Sequence, residues 1–215
     1  MQRVTTRHSN ERNPMTTKAE FRAAVRRRLD DVPVAGLWDD ATLDDAMADA
    51  LSRYGVFAPQ EERSTVAVSD GAMSFAVTGL ERGQAIRRVI DPGASVIAPG
   101  RAEDGDEPGQ GWRWWAGEIR LAKPARAGSW IVEWHRPRLL PATDSGVVPI
   151  LAGDDGAVSL IAAGSALRRR AVEEAKRGGR GADGLMQLAK EWEAAGLWQA
   201  RARGRRVSSF TAGTR

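Results

Sequence analysis

The sequence predicts an α+β fold: a helical bundle made by N- and C-terminal helices, with an antiparallel β block, a small sheet or sandwich, inserted between them. Three observations predict it. Apolar residues recur at helical spacing in residues 15–63 and again in 141–203. Between them, over 64–140, they alternate with period two. Unlike elements come in runs, without βαβ alternation or a repeat of fixed period.

Each element has a local cause. Residues 1–14 are polar and end at Asn13-Pro14, which reads as a disordered arm. Thr16 or Thr17 can cap a first helix, with Glu20 placed for a capping box from Thr17. Phe21, Val25 and Leu29 share a face of it, with Ala24 beside them. Arg26, Arg27 and Arg28 sit at its C-terminal end, where the helix dipole favours cations. Pro33 and Gly36 break the chain. The stretch LWDDATLDDAMADALSRY, 37–54, follows, capped by Asp40 or, with a slightly earlier start, Asp39. Its stripe is Leu43, Ala46, Met47, Ala50, Leu51 and Tyr54. Asp44, Asp45 and Asp49 face elsewhere.

STVAVS, AMSFAVT and IRRVI (86–90) read as strands, with Met73, Phe75 and Val77 on one face. The Gly-, Pro- and acid-rich run 98–111 reads as a long mobile hairpin loop. WRWWAGEIRLA (112–122) and SWIVEWHRP (129–137) read as two aromatic strands joined by a turn at 123–128, giving five or six strands in all. A polar linker runs from Leu140-Pro141 to Gly156. Helices return over 159–177, burying Leu160, Ala163, Leu167 and Ala171, and after the stop-and-restart GGRGADG. The last helix places Leu185, Leu188, Trp192 and Ala195 on one side. Residues 204–215 read as a basic tail.

Composition excludes several functions. The chain has 215 residues, 42% of them hydrophobic, and no cysteine. Disulfides, thiolate metal sites and cysteine nucleophiles are therefore ruled out. No stretch reaches the length of an apolar membrane span. The N-terminus has no apolar core of a secretory signal, so intracellular synthesis is the simple expectation. His8 falls in the presumed arm and His135 at a strand end, and neither has a catalytic constellation around it. No HExxH, GxSxG or P-loop occurs. The acids of EDGDE do not match an EF-hand. The expectation is a protein without enzymatic activity, metal or cofactor.

Two features remain. Trp112, Trp114, Trp115, Trp130 and Trp134 lie on neighbouring strands, Trp115 facing opposite to Trp112 and Trp114. They are candidates for an exposed contact surface, read either as a glycan- or protein-binding module or as a core extended by an inter-subunit contact. Charge is the other feature. Residues 1–30 hold eight Arg/Lys against three Asp/Glu; 31–62 hold one against eight; 164–215 hold twelve against five. Such segregation suits complementary neighbours or, through the arginine ends, non-specific DNA binding.

The order of elements resembles the head-to-tail connector proteins of tailed bacteriophages, also called adaptor or head-completion proteins. An N-terminal helix precedes LWDDATLDDAMADALSRY; WIVEWHRPRLLP leads into a polar crossing; VSLIAAGSALRRRAVEE is the return helix, followed by one more helix and a basic tail. The resemblance covers most of 15–205, and the β block of 64–140 is larger than the hairpin of shorter members. It implies a ring, commonly of twelve copies, docked beneath the portal protein in the virion and assembled in the host cytoplasm. Genome DNA passes through the lumen without sequence-specific binding, stopper or tail proteins dock on the ring, and no membrane is involved. It further implies that the C-terminal segment, with Arg201, Arg203, Arg205, Arg206 and Phe210, meets the portal. Asp44, Asp45 and Asp49 would then line the lumen or meet a neighbour's Arg26, Arg27 and Arg28.

Overall fold

A computed structural model describes residues 16–31, 36–81, 84–100 and 111–211, with side chains described as far as residue 202. The arm 1–14 and most of the acidic loop, 101–110, lie outside the described residues. The fold is α+β, as the sequence predicts. The chain divides into a unit formed by residues up to Ala58 and from Arg138 onward, and a second unit, Pro59–Pro137. The sequence places the β block at 64–140, whereas the unit spans Pro59–Pro137; its first strand starts earlier because QEERS hides the period-two signal behind charged residues on both faces.

The first unit holds α1 (Lys18–Arg28), α2 (Asp40–Gly55), α3 (Asp155–Lys176) and α4 (Ala182–Thr211). Helix α1 starts in the expected capping box: the Glu20 N–H donates to Thr17 Oγ1, and the Thr17 N–H to Glu20 Oε2. Its next free N–H groups are met by the crossing segment, Lys18 donating to the Gly146 carbonyl at 2.9 Å and Ala19 to that of Asp144 at 3.1 Å. Part of the polar linker is thus pinned to a helix N-terminus. Asp39 caps α2, accepting from the Thr42 N–H at 2.6 Å.

The predicted stripe of α2 is fully buried, together with Phe21 and Val25 of α1 and Val158 and Ile161 of α3. Helix α3 begins four residues before its predicted start, and Ile161 rather than the half-buried Leu160 enters the core. It ends in a Schellman motif, with Gly178 at φ 72° and the Gly179 N–H on the Glu174 carbonyl at 2.8 Å.

Helices α3 and α4 cross closely on small residues. A Cβ at Gly196 would lie 2.6 Å from Ile161 Cγ1 and 2.7 Å from the Ala157 carbonyl. One at Gly164 would lie 2.7 Å from Glu193 Cγ. The buried side of α4 is therefore Ala189, Glu193, Gly196 and Ala200, whereas Leu188 and Ala195 of the predicted stripe are exposed. Large apolar residues advertise a helix face; a face built for close backbone approach does not. Helix α4 also runs through the predicted tail boundary to Thr211, because the Ala- and Arg-rich 200–206 are helix formers and Gly204 alone does not stop them.

The second unit is a pair of antiparallel sheets. One has the order β1-β7-β3-β4, from Gln60–Val68, Gly128–Arg136, Ile86–Ile90 and Val96–Ile97; the other has β2-β6-β5, from Ser74–Ala76, Glu118–Leu121 and Trp112–Trp115. Among the described residues there are thus seven strands where five or six are predicted. WRWWAGEIRLA is a hairpin, not one strand: Ala116 and Gly117, at φ 53° and 92°, make the two-residue turn between Trp115 and Glu118. Side chains from both sheets share one core, Val89, Trp130 and Val132 from the first meeting Phe75, Trp112 and Ile119 from the second. Met73, predicted beside Phe75 and Val77, is exposed.

Candidate functional site

The acidic face of α2 lies between cations of its own chain. Asp44 receives Lys18 Nζ at 2.6 Å and Arg22 Nη2 at 2.7 Å from α1. Arg22 also reaches Asp144 of the crossing segment at 2.9 Å. Asp45 pairs with Arg169 of α3 at 2.7 Å. Asp49 accepts from Ser165 Oγ at 2.6 Å and from Arg168 at 3.0 Å. Arg26 binds Asp40 at 2.7 Å and also contacts Asp31. Arg28 donates to Ser159 Oγ and to the Gly156 carbonyl; Arg27 is exposed. The basic and acidic segments separated along the sequence are interleaved in space. Within the chain, α1 and α3 supply cations to Asp44, Asp45 and Asp49, the carboxylates expected to line a lumen or meet a neighbour's Arg26–Arg28.

Arg22 and Lys18 are buried, so these pairs differ from solvated surface bridges. Burial pulls the Arg22 pKa down, but the hydrogen bonds to Asp144 and Asp44 outweigh it and leave the pKa raised. Asp144 in turn is held below its ordinary value, chiefly by its hydrogen bond to Arg22.

A second cluster ties the segments on either side of the β unit. The Tyr54 hydroxyl donates to Asp154 Oδ2 at 2.6 Å, and the Leu151 N–H donates back to Tyr54 Oη at 3.4 Å. The Arg138 guanidinium lies 5.1 Å from the Tyr54 ring centroid and donates to the carbonyls of Ala58 and Pro149. Burial, then the Asp154 hydrogen bond, pushes the Tyr54 hydroxyl far up; burial lowers Arg138. A phenol so raised stays protonated and serves as a donor.

The tryptophan surface is corrected in part. Trp112, Trp130 and Trp134 are core residues, and their indole N–H groups are satisfied by the Ile97 carbonyl, the Arg126 carbonyl and Ser64 Oγ respectively. Each inward tryptophan has an apolar body to bury and a partner for its tip. Trp114 is half-buried against the same core. Trp115, 45% exposed, is the member of the group that faces solvent, with Arg113 and Arg120 over its ring at 5.1 and 6.0 Å.

One exposed aromatic was missed. Trp198 of α4 is 70% exposed. The signal was present: Trp192 is half-buried, and six residues further on a helix turns to a different face. Elsewhere in the same unit, the turn between α3 and α4 leaves an open apolar groove of about 370 Å³, walled by Ala171, Val172, Ala175, Ala182 and Met186.

Arg201 projects over the Phe57 ring at 4.3 Å. The side chains of Arg203, Arg205, Arg206 and Phe210 lie outside the described residues. His135 is half-buried at the end of β7, its pKa lowered by burial and then by Arg87. Among the described residues, no group of three or more His, Asp or Glu is placed to hold a metal, and no helix is long and apolar enough to cross a membrane. Neither a protein-family model nor a curated protein matches the chain.

Proposed function

We propose that the chain is a structural head-to-tail connector of a tailed bacteriophage or phage-like particle. It forms a ring of about twelve copies under the portal, as in the family it resembles, passes genome DNA through the lumen, and offers tail or stopper proteins a platform. It makes and breaks no covalent bonds. The observation that carries this reading is the order of elements: two helices, an antiparallel β unit, and two helices that return to complete the first pair's core. Such a scaffold presents helix and sheet faces to partners. The intrachain pairing along α2 adds support, because Arg22, Arg168 and Arg169, already held by carboxylates, have less free positive charge with which to grip phosphate as DNA slides past.

A glycan-binding platform is the weaker reading, since three of the five strand tryptophans are core. Non-specific DNA binding is weakened as well: Arg22, Arg26, Arg168 and Arg169 are engaged by carboxylates, which compete with phosphate.

The C-terminal end of α4, with Arg201, Arg203, Arg205, Arg206 and Phe210, is the proposed portal contact. Removing residues 204–215 deletes the last turns of the helix and leaves the α3–α4 crossing intact. The truncated protein is expected to fold and to lose capture by purified portal in a pull-down. Undiminished capture would reject this assignment.

A further inference from the structure

We propose that Trp198 of one copy seats in the α3–α4 groove of the next, making a head-to-tail contact between subunits. The proposal rests on the ring reading and specifies its subunit interface.

Trp198 is a knob. Three of its four helical neighbours one turn away are Ala194, Ala195 and Ala202, the fourth is Arg201, and the indole is 70% exposed. The groove is its counterpart. Alanines 171, 175 and 182 make its walls shallow, and Val172 and Met186 supply apolar and sulfur contacts that suit an indole. Its volume of about 370 Å³ accepts a single aromatic side chain. Tryptophan is enriched among the few residues that carry most of the binding energy of a protein interface.

Charge argues for a second copy as the occupant. The groove carries Lys176 and Asp183 on its rim. The knob carries Glu191 two turns before Trp198 on the same stripe and, one turn after it, Arg201, whose guanidinium also lies over Phe57 of its own chain. Glu191 against Lys176 and Arg201 against Asp183 bring opposite signs together on both sides of the indole.

Knob and groove lie apart on one molecule. Met186 and Trp198 are separated by about 18 Å along α4 and about 120° around it. Each copy therefore offers a knob to one neighbour and a groove to another. Such a heterologous contact generates a closed ring when the rotation per subunit permits.

Two variants test this by sedimentation velocity at high protein concentration: Trp198→Ala, which removes the knob, and Val172→Glu, which fills the groove. Both sites are solvent-facing, so the fold is retained, and circular dichroism checks it. Wild type should self-associate, and each variant alone should associate at least about 30-fold more weakly. An equimolar mixture should form dimers and stop there, because one intact knob meets one intact groove. The charge pair gives a second readout: Glu191→Lys and Lys176→Glu each weaken association, and the double variant recovers it. Persistently monomeric wild type, or a mixture that forms no dimer, overturns the contact. Portal capture, measured separately, shows whether the connector reading survives that result.

Discussion

Tyr54 and Asp154, 100 positions apart in sequence and on opposite sides of the inserted β unit, share a buried hydrogen bond of 2.6 Å. The bond joins the end of α2 to the cap position of α3. Arg138, where the chain re-enters the helical unit, stacks over the same ring and donates to the carbonyl of Ala58, where the chain leaves it. Departure and return are thus tied at one point. The helical unit can close around its own core although its two halves are far apart in sequence.

Replacing Tyr54 by Phe keeps the ring and its stacking but leaves the Asp154 carboxylate, 4% exposed, without that donor. Loss of a buried bond to a charged acceptor costs about 1–3 kcal/mol. The thermal midpoint of the helical unit should drop accordingly, with little change in far-UV circular dichroism at low temperature. An unchanged midpoint would show that the tie is not needed for closure.

Acid should loosen the same unit. Glu20 is lowered from 4.5 by its bonds to Thr17; Asp39 is lowered from 3.8 by its cap bonds to Thr42, and Asp144 from 3.8 by Arg22. Carboxylates with depressed folded-state values stabilise fully above their unfolded values and lose that contribution as pH falls through the lowered ones. Stability should therefore be flat near neutrality and decline below about pH 4.5. Asp144→Asn should lower stability at neutral pH and make the acid decline shallower, as read from urea midpoints across the pH range. A decline of the same steepness in the variant would remove Asp144 from the acid response.

The helices were legible because their signals are local. Thr17 with Glu20 specifies a start, GGRGADG specifies a stop, and the stripe from Leu43 to Tyr54 specifies a buried face. What escaped reading depends on contacts between distant segments. The pairing of Asp44 with Lys18 and Arg22, and of Asp49 with Arg168, follows from how α1 and α3 flank α2, which no spacing within α2 encodes. The α3–α4 crossing on Gly164 and Gly196 escaped for a different reason, since a missing side chain leaves no apolar signal. The β5–β6 turn escaped because Ala116, at positive φ, occupies a position where Gly or Asn ordinarily announces the bend.

The two classes of strand tryptophan should separate under mutation. Trp130 packs against Phe75 with ring centroids 5.6 Å apart, is 4% exposed, and donates to the Arg126 carbonyl. Trp130→Ala removes a large buried ring and takes the donor away from the Arg126 carbonyl, at a cost of about 3–5 kcal/mol. Trp115 keeps its ring at the surface between Arg113 and Arg120, where cation–π contacts contribute about 0.5–1 kcal/mol each. Trp115→Ala should cost about 1–2 kcal/mol, well below the cost at Trp130. Denaturant unfolding of the two variants, followed by near-UV circular dichroism, measures the difference directly. Equal costs would mean that the hairpin carrying Trp115 is as essential to the sandwich as its core. A cheap Trp115→Ala would instead leave an exposed Trp–Arg patch that the fold does not require.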